Sequence, residues 1–342
     1  MQLSVSGHPL HTRSLSVTTK LADAGRHAAW AEVIDLRKCG FVPVAGFLQP
    51  SGTVHHMTID AEIDPASRTI HRFVGGQPTR AFEPSKLTRG ECCSDPLPRL
   101  AALAGAQLGD GFNGALSQAF GGPLGCSHLV TLAQLFNGAV STSLDWNDDR
   151  PTDATPWRPD ERIFRRAVEL DGYQREDGLI QVVVQLTDLH FAAAPEVAFP
   201  MQTFGAETEV RISALADIKN EMTISSPAAY VRTRDYAGLE EAEFVDQSDA
   251  VAFLNGQSMV RGISKRVLGA FPSDAGNDPL RDALLMMAPG FLQCLASLSE
   301  QWPKAAKATP SLLGVCGRDN ACYMWRDGGP VRSANEDWDV SP

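Results

Sequence analysis

Two kinds of hydrophobic spacing occur along the chain, and they predict where strands and helices lie. Apolar side chains at every second position, with β-branched residues and flanking turn signals, indicate half-buried strands. This pattern predicts strands at 54–63, 69–74, 180–186 and 207–224. The polar stretch 1–30 shows neither spacing, so we expect an extended lead-in there, with His8 and His11 on the surface.

Apolar residues three and four positions apart indicate amphipathic helices elsewhere in the chain. Leucines within 97–120, interrupted by glycines at 109 and 111, predict two short helices around a turn. The leucines at 129, 132 and 135 predict a helix after Gly125, and residues 278–299 predict another. Strands followed by helices in this order predict an α+β fold, an antiparallel meander plus helices.

A similar order of apolar residues and glycines occurs twice. Six positions between Leu103 and Leu129 recur 151 positions later, and Ile59 recurs as Ile212. We therefore expect an internal duplication that produced two similar α+β units. The expected boundaries are 1–148 for the first unit, 149–160 for an acidic linker, and 161–342 for the second unit, which ends in a C-terminal strand.

Composition and charge exclude several classes of protein. Lys and Arg total 30 against 41 Asp and Glu, and the formal net charge of −11 argues against a nucleic-acid partner. No apolar run approaches the roughly 18 residues of a membrane span, and the start lacks a secretory pattern. Seven irregularly spaced cysteines indicate reduced thiols. We expect a cytoplasmic protein with no membrane partner, and an edge strand in each unit would allow a homodimer.

Polar residues that occur in only one unit are the candidates for a functional site, because both copies of a fold need the same packing residues. The motif GCSHL begins at Gly125, and it places Cys126 at a helix N-terminus and His128 in the first turn. The helix dipole there is expected to lower the thiol pKa. Such a pair can form a thiolate–imidazole couple or bind a metal, and it can also simply fix the turn.

His55 and His56 are a second candidate feature, in the middle of an expected strand. Successive strand side chains point to opposite faces, so one of the two can face a shared site. Cys92, Cys93 and Asp95 lie in a loop before the first expected helix, from which they could add ligands or a proton relay.

Tyr173 and Arg175 lie on an expected hairpin turn of sequence GYQREDG. A phenol and a guanidinium group near a site could hold an anionic or phenolic substrate. A charged turn without any ligand explains the same residues equally well.

Together these motifs resemble a bacterial domain-of-unknown-function family with a Gly-Cys-Thr/Ser-His-Leu signature after a Gly-Gly pair. The resemblance rests on the segments HHM at 55–57, LAGAQLGDGF at 103–112 and GGPLGCSHL at 121–129. The segments 165–178 and 322–332 resemble the opening strand and the tail of that family. This chain departs from the usual single copy, because its first unit lacks the Arg-rich turn and its second unit lacks the Cys and His.

The resemblance implies an activity, that of a phenylcoumaran γ-formaldehyde lyase, and a small aromatic molecule as the binding partner. In that reaction a lignin-derived phenolic diaryl compound loses formaldehyde by carbon–carbon cleavage without a cofactor and becomes a stilbene. His128 or His55 would then serve as the general base, and Tyr173 and Arg175 would orient a phenolate.

Two alternatives stay open at this point. One is a metal-dependent enzyme in which His55 or His56, together with Cys126 and His128, holds zinc or iron. The other is a non-catalytic binder of small aromatic ligands or of a partner protein, in which the polar cluster is structural.

Overall fold

The computed structural model describes residues 3–44, 47–193, 204–236, 242–272, 278–299 and 320–332. The strands in these ranges are β1 (His8–Leu21), β2 (His27–Arg37), β3 (Val42–Val44), β4 (Phe47–Gln49), β5 (Gly52–Asp64), β6 (Thr69–Thr79), β7 (Arg162–Gln174), β8 (Ile180–Phe191), β9 (Phe204–Asp217), β10 (Thr223–Asp235) and β11 (Val245–Asp246). The α-helices are α1 (Phe112–Phe120), α2 (Ser127–Asp148), α3 (Ser248–Val251), α4 (Ile263–Ala270) and α5 (Pro279–Ala296). A 3-10 helix over Leu97–Leu103 precedes α1, and another over Ala252–Leu254 precedes α4.

One antiparallel sheet of nine strands runs through the molecule, in the order β11-β10-β9-β8-β7-β1-β2-β5-β6. We call residues 3–148 the first half and residues 161–332 the second half. The first strand of each half, β1 and β7, meet at the centre of the sheet and pair antiparallel. The two halves therefore share one continuous sheet, and a residue on β1 lies next to a residue on β7.

The two long helices, α2 and α5, pack on one face of the sheet and bury its apolar side chains. Leu15, Val33, Ile59, Val168 and Val184 are among the strand residues with no exposed surface beneath this layer. The N-terminus of α5 is capped by the Asp278 carboxylate, which accepts from the backbone N–H of Leu280 at 2.8 Å.

The α+β class is confirmed, and strands occupy the four regions in which alternation predicted them. The expected stretch 207–224 spans the end of β9, a turn, and the start of β10. The region 97–120 holds a 3-10 helix and α1 around a turn, and α5 begins and ends close to the expected bounds.

The expectation for residues 1–30 is wrong. They form β1 and the start of β2, in the centre of the sheet, and His11 has no exposed surface. The outer positions of β1 are Ser and Thr, and two of its inner positions are His11 and Arg13, so its alternation is weak in hydrophobicity. Near the C-terminus, residues 320–332 carry a 3-10 helix over Tyr323–Trp325 where a strand was expected.

The order of elements is the same in the two halves. In each half, four long strands precede a 3-10 helix, a short α-helix and a long α-helix. An isolated bridge joins Thr69 to Gln107 in the first half, and another joins Thr223 to Ser258 in the second. Within the described ranges, no helix combines the length and the apolar character that crossing a membrane requires.

Candidate functional site

Three charged or ionisable side chains form a row across adjacent strands, on the face that the helices cover. Arg13 on β1 pairs in register with Asp35 on β2, and Asp35 pairs with His55 on β5. We call Arg13, Asp35 and His55 the first row. Arg13 and Asp35 are 1% and 0% exposed, and His55 is 8% exposed. A buried carboxylate needs charged or hydrogen-bonding partners to stay ionised, so the surroundings of Asp35 decide what this row can do.

The two oxygens of the Asp35 carboxylate have different environments. Oδ1 lies 3.0 Å from Nε2 of His11 and 3.9 Å from Nε of Arg13. Oδ2 lies 3.3 Å from Nδ1 of His55 and 3.7 Å from Nε2 of His128. In the part of the chain that the structure describes, neither Oδ2 nor Nδ1 of His55 makes a hydrogen bond. One oxygen is therefore held by its neighbours, and the other faces two imidazoles across a short gap.

His128 reaches this row because α2 begins directly above it. The rings of His55 and His128 lie 4.1 Å apart, centroid to centroid, at an angle of 36°. The side-chain amide of Gln293, from α5 in the second half, lies 2.9 Å from Nε2 of His128. We call His11, Arg13, Asp35, His55 and His128 the Asp35 cluster.

The charges of the Asp35 cluster follow from burial and from its neighbours. Burial alone would raise the pKa of Asp35, but Arg13 and the surrounding imidazoles bring it well below its usual range. Burial lowers the pKa of His128 well below the ordinary histidine value, with His55 and Arg13 acting in the same direction. Burial also lowers the pKa of His11, although Asp35 opposes this shift. The cluster at neutral pH thus holds an ionised Asp35 beside neutral imidazoles at positions 11 and 128.

Cys126 differs from the reactive thiol that its place in the sequence predicted. It is the N-cap residue of α2, but burial raises its pKa to about 12, so the thiol stays protonated at neutral pH. Its Sγ lies 3.8 Å from Nδ1 of His128 and 3.7 Å from the sulfur of Met57. Desolvation outweighs the helix dipole here, and the thiol packs beside the imidazole as a neutral neighbour.

The structure separates three other candidates from the cluster. His56 lies on the opposite face of β5, as the strand period predicted, with its Nε2 3.4 Å from the Glu32 carboxylate. Tyr173 stands on the open face of β7, opposite the helices, and Lys38 lies 5.8 Å above its ring. Arg175 forms an ion pair with Asp177 in the β7–β8 turn, at 2.8 Å. These contacts join Tyr173 and Arg175 to Lys38 and Asp177 and to no residue of the Asp35 cluster.

The loop cysteines form a local turn of their own. Asp95 accepts from the backbone N–H of Cys92 at 2.9 Å and from its thiol at 3.0 Å. Cys93 packs in a small apolar cluster with Phe82 and Met324, where burial raises its thiol pKa well above the usual value. Cys92 and Asp95 therefore bond to each other rather than to the histidines.

Four members of the site escaped the sequence reasoning: His11, Arg13, Asp35 and Gln293. The signal that could have revealed Asp35 is its position in the strand alternation. It lies two residues after Val33 and four after Ala31, so its side chain points inward as theirs do. A carboxylate at an inward-facing strand position requires a buried partner, and β1 supplies Arg13 at the inward-facing position beside it. Gln293 gave no such signal, because it comes from the other half of the chain.

The second half contains a row at the same register. Arg166 on β7 pairs with Asp188 on β8, and Asp188 pairs with Thr208 on β9. Each residue lies 153 positions after its counterpart, since 166 − 13, 188 − 35 and 208 − 55 give the same difference. We call Arg166, Asp188 and Thr208 the second row. Arg166 binds Asp188 with two hydrogen bonds, of 2.7 and 2.6 Å, and also contacts the Asp282 carboxylate.

A cleft of about 640 Å³ lies between α2 and α5, and its walls include Asp282, which contacts Arg166 of the second row. Gln134, Asn137, Arg281 and Asp282 contribute to its walls. Its lining contains no aromatic side chain and no histidine of the Asp35 cluster. An aromatic substrate that reaches His55 therefore needs a different approach.

Comparison with known proteins adds one finding to this geometry. A model for a family described as "Protein of unknown function (DUF2889)" matches part of the chain. The match covers residues 11–140. It begins at His11 and ends inside α2, so the DUF2889 match contains all five residues of the Asp35 cluster. Gln293 and the second row lie outside the DUF2889 match. No curated protein matches the chain.

Proposed function

We propose that the chain is a carbon–carbon lyase that works by general acid–base catalysis at the Asp35 cluster. The observation that carries the proposal is the pairing of a buried, ionised Asp35 with Nδ1 of His55 at 3.3 Å. A carboxylate that faces one ring nitrogen orients the imidazole and stabilises the imidazolium formed when the other nitrogen takes a proton. Nε2 of His55 is then the atom available to a substrate.

The substrate class comes from the resemblance of the sequence to the phenylcoumaran γ-formaldehyde lyases. The substrate is a phenolic phenylcoumaran with a primary alcohol. Its phenolate opens the ring by breaking the ether carbon–oxygen bond, which leaves a quinone methide. The γ-hydroxyl then loses its proton, the bond to the γ-carbon breaks, and its electron pair becomes the stilbene double bond. Formaldehyde leaves and the released aryl oxygen takes a proton, so the reaction is redox-neutral.

This chemistry needs a base for the hydroxyl and stabilisation of the developing negative charge. His55, oriented by Asp35, takes the hydroxyl proton and returns it to the aryl oxygen. His128 stays neutral because its pKa is lowered, so it does not compete with His55 for the proton. Arg13 and His11 hold Oδ1 of Asp35, and this fixes the direction in which Oδ2 meets His55.

Aromatic side chains close to the motif support an aromatic substrate. The backbone N–H of Tyr323 donates to the carbonyl of Gly125 at 2.7 Å, so the segment 320–332 lies against the turn that leads into α2. Phe82, Tyr323 and Trp325 belong to one small apolar cluster beside this turn. Aromatic side chains packed beside the turn that leads into α2 are a suitable wall for a diaryl ligand.

The test is direct measurement of both products. Purified protein is incubated with a phenylcoumaran that carries a free phenol and a primary alcohol, and formaldehyde and stilbene are quantified. We expect the two products in equal amounts. Asp35→Asn should lower turnover by about 10² to 10⁴-fold, because the amide does not stabilise an imidazolium. His56→Ala, one position from His55 on the other face, is the matched control and should retain full turnover.

A second control uses the substrate. The same compound with its phenol methylated should give no formaldehyde, because ring opening starts from the phenolate. Tight binding of the phenolic compound without either product would contradict the lyase, and it would leave the non-catalytic binder as the function.

We also propose that the two halves arose by internal duplication and that the first half kept the catalytic set. The repeated order of elements, the constant offset of 153 between the two rows, and the matching isolated bridges support this origin. Under this proposal, His55 and His128 are retained in one copy and replaced in the other.

A further inference from the structure

The free oxygen of Asp35 suggests a role beyond orienting an imidazole. Asp35 has no exposed surface, and among the described residues neither its Oδ2 nor Nδ1 of His55 has a hydrogen-bond partner. An unsatisfied buried acceptor costs free energy, and a ligand held between these two atoms would recover that cost.

The second row shows how this fold satisfies the same carboxylate when no ligand is needed. There Arg166 binds both oxygens of Asp188, at 2.7 and 2.6 Å. In the first row, Arg13 approaches only Oδ1, at 3.9 Å, and its NH1 donates instead to the carbonyl of Pro289 at 3.3 Å. The arginine is thus held back from the position that its counterpart fills, and the space beside Oδ2 is left to two imidazoles.

The geometry points to a divalent transition-metal site formed by Asp35, His55 and His128. One carboxylate oxygen and one nitrogen from each ring lie within 4.8 Å of one another. Oδ2 is 3.3 Å from Nδ1 of His55 and 3.7 Å from Nε2 of His128. Tetrahedral zinc with ligands at about 2.1 Å separates them by about 3.4 Å, so a small contraction around the ion suffices.

Two imidazoles and one carboxylate form the ligand set of many zinc and non-haem iron(II) sites, so the inferred cation is Zn²⁺ or Fe²⁺. Outer-shell partners are already in place, since His11 binds the other oxygen of Asp35. This set replaces the expected one, because His56 points away and the thiol of Cys126 stays protonated.

Gln293 is the nearest candidate for a fourth ligand. Its amide lies 2.9 Å from Nε2 of His128, and a half-turn of the amide exchanges its nitrogen for its oxygen. The second half of the chain would then complete a site whose other ligands all belong to the first half.

This inference rests on the same cluster as the proposed lyase, and it gives that reaction its charge stabiliser. A cation in this place would bind the γ-hydroxyl oxygen in the position that Gln293 fills without substrate, and it would lower the pKa of that hydroxyl, so His55 would act as a ligand in place of its role as the base. Binding of the cation can be measured without any turnover of substrate.

The experiment is calorimetric titration of the chelator-treated full chain with Zn²⁺, and with Fe²⁺ under anaerobic conditions. We expect one saturable equivalent in the wild-type protein. Asp35→Asn and His55→Ala should each weaken binding by at least about 100-fold, and Gln293→Leu by about 10-fold. His56→Ala is the matched control and should bind like the wild type. Visible absorption of the Co²⁺-loaded protein should appear in the control and be lost with His55→Ala.

His55→Ala guards against a folding failure of Asp35→Asn, because the counterpart of His55 is the smaller Thr208. No saturable binding by the wild type, or equal binding by His55→Ala, would overturn the metal site and leave the lyase untouched. Metal binding without any formaldehyde release would overturn the lyase alone.

Discussion

The two Arg–Asp rows occupy equivalent places in the sheet and have different neighbours. In the second row, Arg166 binds both oxygens of Asp188 and also contacts Asp282, so two carboxylates share one guanidinium. In the first row, Arg13 stays 3.9 Å from Asp35, and three imidazoles surround the carboxylate. One row is a closed ion-pair network, and the other presents a carboxylate oxygen to titratable rings.

The replacements at equivalent positions explain this difference. His55 corresponds to Thr208 and His11 to Phe164, each 153 positions later by strand register. His128 lies in the first turn of α2, whereas the first turn of α5 begins with Pro279 and Leu280 and contains no histidine. The fold thus keeps an Arg–Asp pair twice, which is a packing requirement, and it keeps the imidazoles once. Positions that the architecture does not need twice are where chemistry can be placed.

The largest expected effect comes from giving the first row the residue of the second. His55→Thr should lower kcat/KM for formaldehyde release by about 10² to 10⁴-fold, the usual contribution of a general base. Thr208→His, the reciprocal change, should leave turnover unchanged because Arg166 already occupies the carboxylate. Steady-state kinetics of both variants, with circular dichroism to confirm folding, make the measurement. Full activity in His55→Thr would place the base elsewhere.

Stability should depend on the second row more than on any surface ion pair. Asp188→Ala leaves the guanidinium of Arg166 buried with Asp282 as its remaining carboxylate, and it should lower the unfolding free energy by about 3–5 kcal/mol. Asp177→Ala, which breaks the exposed pair with Arg175, should lower the unfolding free energy far less, because solvent screens an exposed ion pair. Urea unfolding of the two variants compares a buried Arg–Asp pair with an exposed one. Equal, small losses would show that the second row is not a structural element.

Two helix glycines compare a close neighbour that belongs to the ion-pair network of the second row with a close neighbour that is apolar. A Cβ at Gly138 of α2 would meet Oδ2 of Asp282 at 2.3 Å, whereas a Cβ at Gly290 of α5 would meet Cδ1 of Leu170 at 2.5 Å. Asp282 is held by Arg166, while a leucine side chain can rotate. We expect Gly138→Ala to lower the unfolding free energy by about 1–3 kcal/mol and Gly290→Ala to lower it less. In both variants the higher helix propensity of alanine offsets part of the loss. Thermal unfolding of both variants measures the two losses of stability. A larger loss in Gly290→Ala than in Gly138→Ala would contradict a rigid contact between Arg166 and Asp282.

The sequence predicted much of the fold because apolar and polar residues alternate clearly in strands β5, β6, β8 and β9. It failed for β1, whose outer positions are Ser and Thr and whose inner positions include His11 and Arg13. Hydrophobicity does not reveal a strand whose buried positions are charged, because the burial depends on partners in other strands.

Only part of the candidate site could be predicted from the sequence, because several of its contacts depend on pairing between strands. His55 and His128 stood out because they are absent from the second half, and the strand period separated His55 from His56. Asp35 and Gln293 contribute through pairing register and helix docking, which only the assembled sheet defines. The lowered pKa expected for Cys126 was wrong because the depth of burial could not be read from its position in the motif.

The smallest expected effect is a change in how stability depends on pH. Burial lowers the pKa of His128 in the folded protein, whereas in the unfolded chain it titrates near the ordinary value of about 6.5. Below that pH the unfolded state binds more protons than the folded state, so this histidine costs stability as the pH falls, by at most about 1.4 kcal/mol per pH unit.

Replacing His128 by an apolar residue that does not titrate, His128→Leu, removes this dependence. The slope of unfolding free energy against pH should therefore be smaller between pH 6.5 and pH 5 than in the wild type, while the slopes above pH 7 should coincide. Urea unfolding at a series of pH values measures both slopes. His56→Ala, at a half-buried histidine on the other face of the sheet, controls for the loss of any histidine. An unchanged slope in His128→Leu would mean that this ring is solvated in the folded protein, and the first row would then be exposed rather than enclosed beneath the helices.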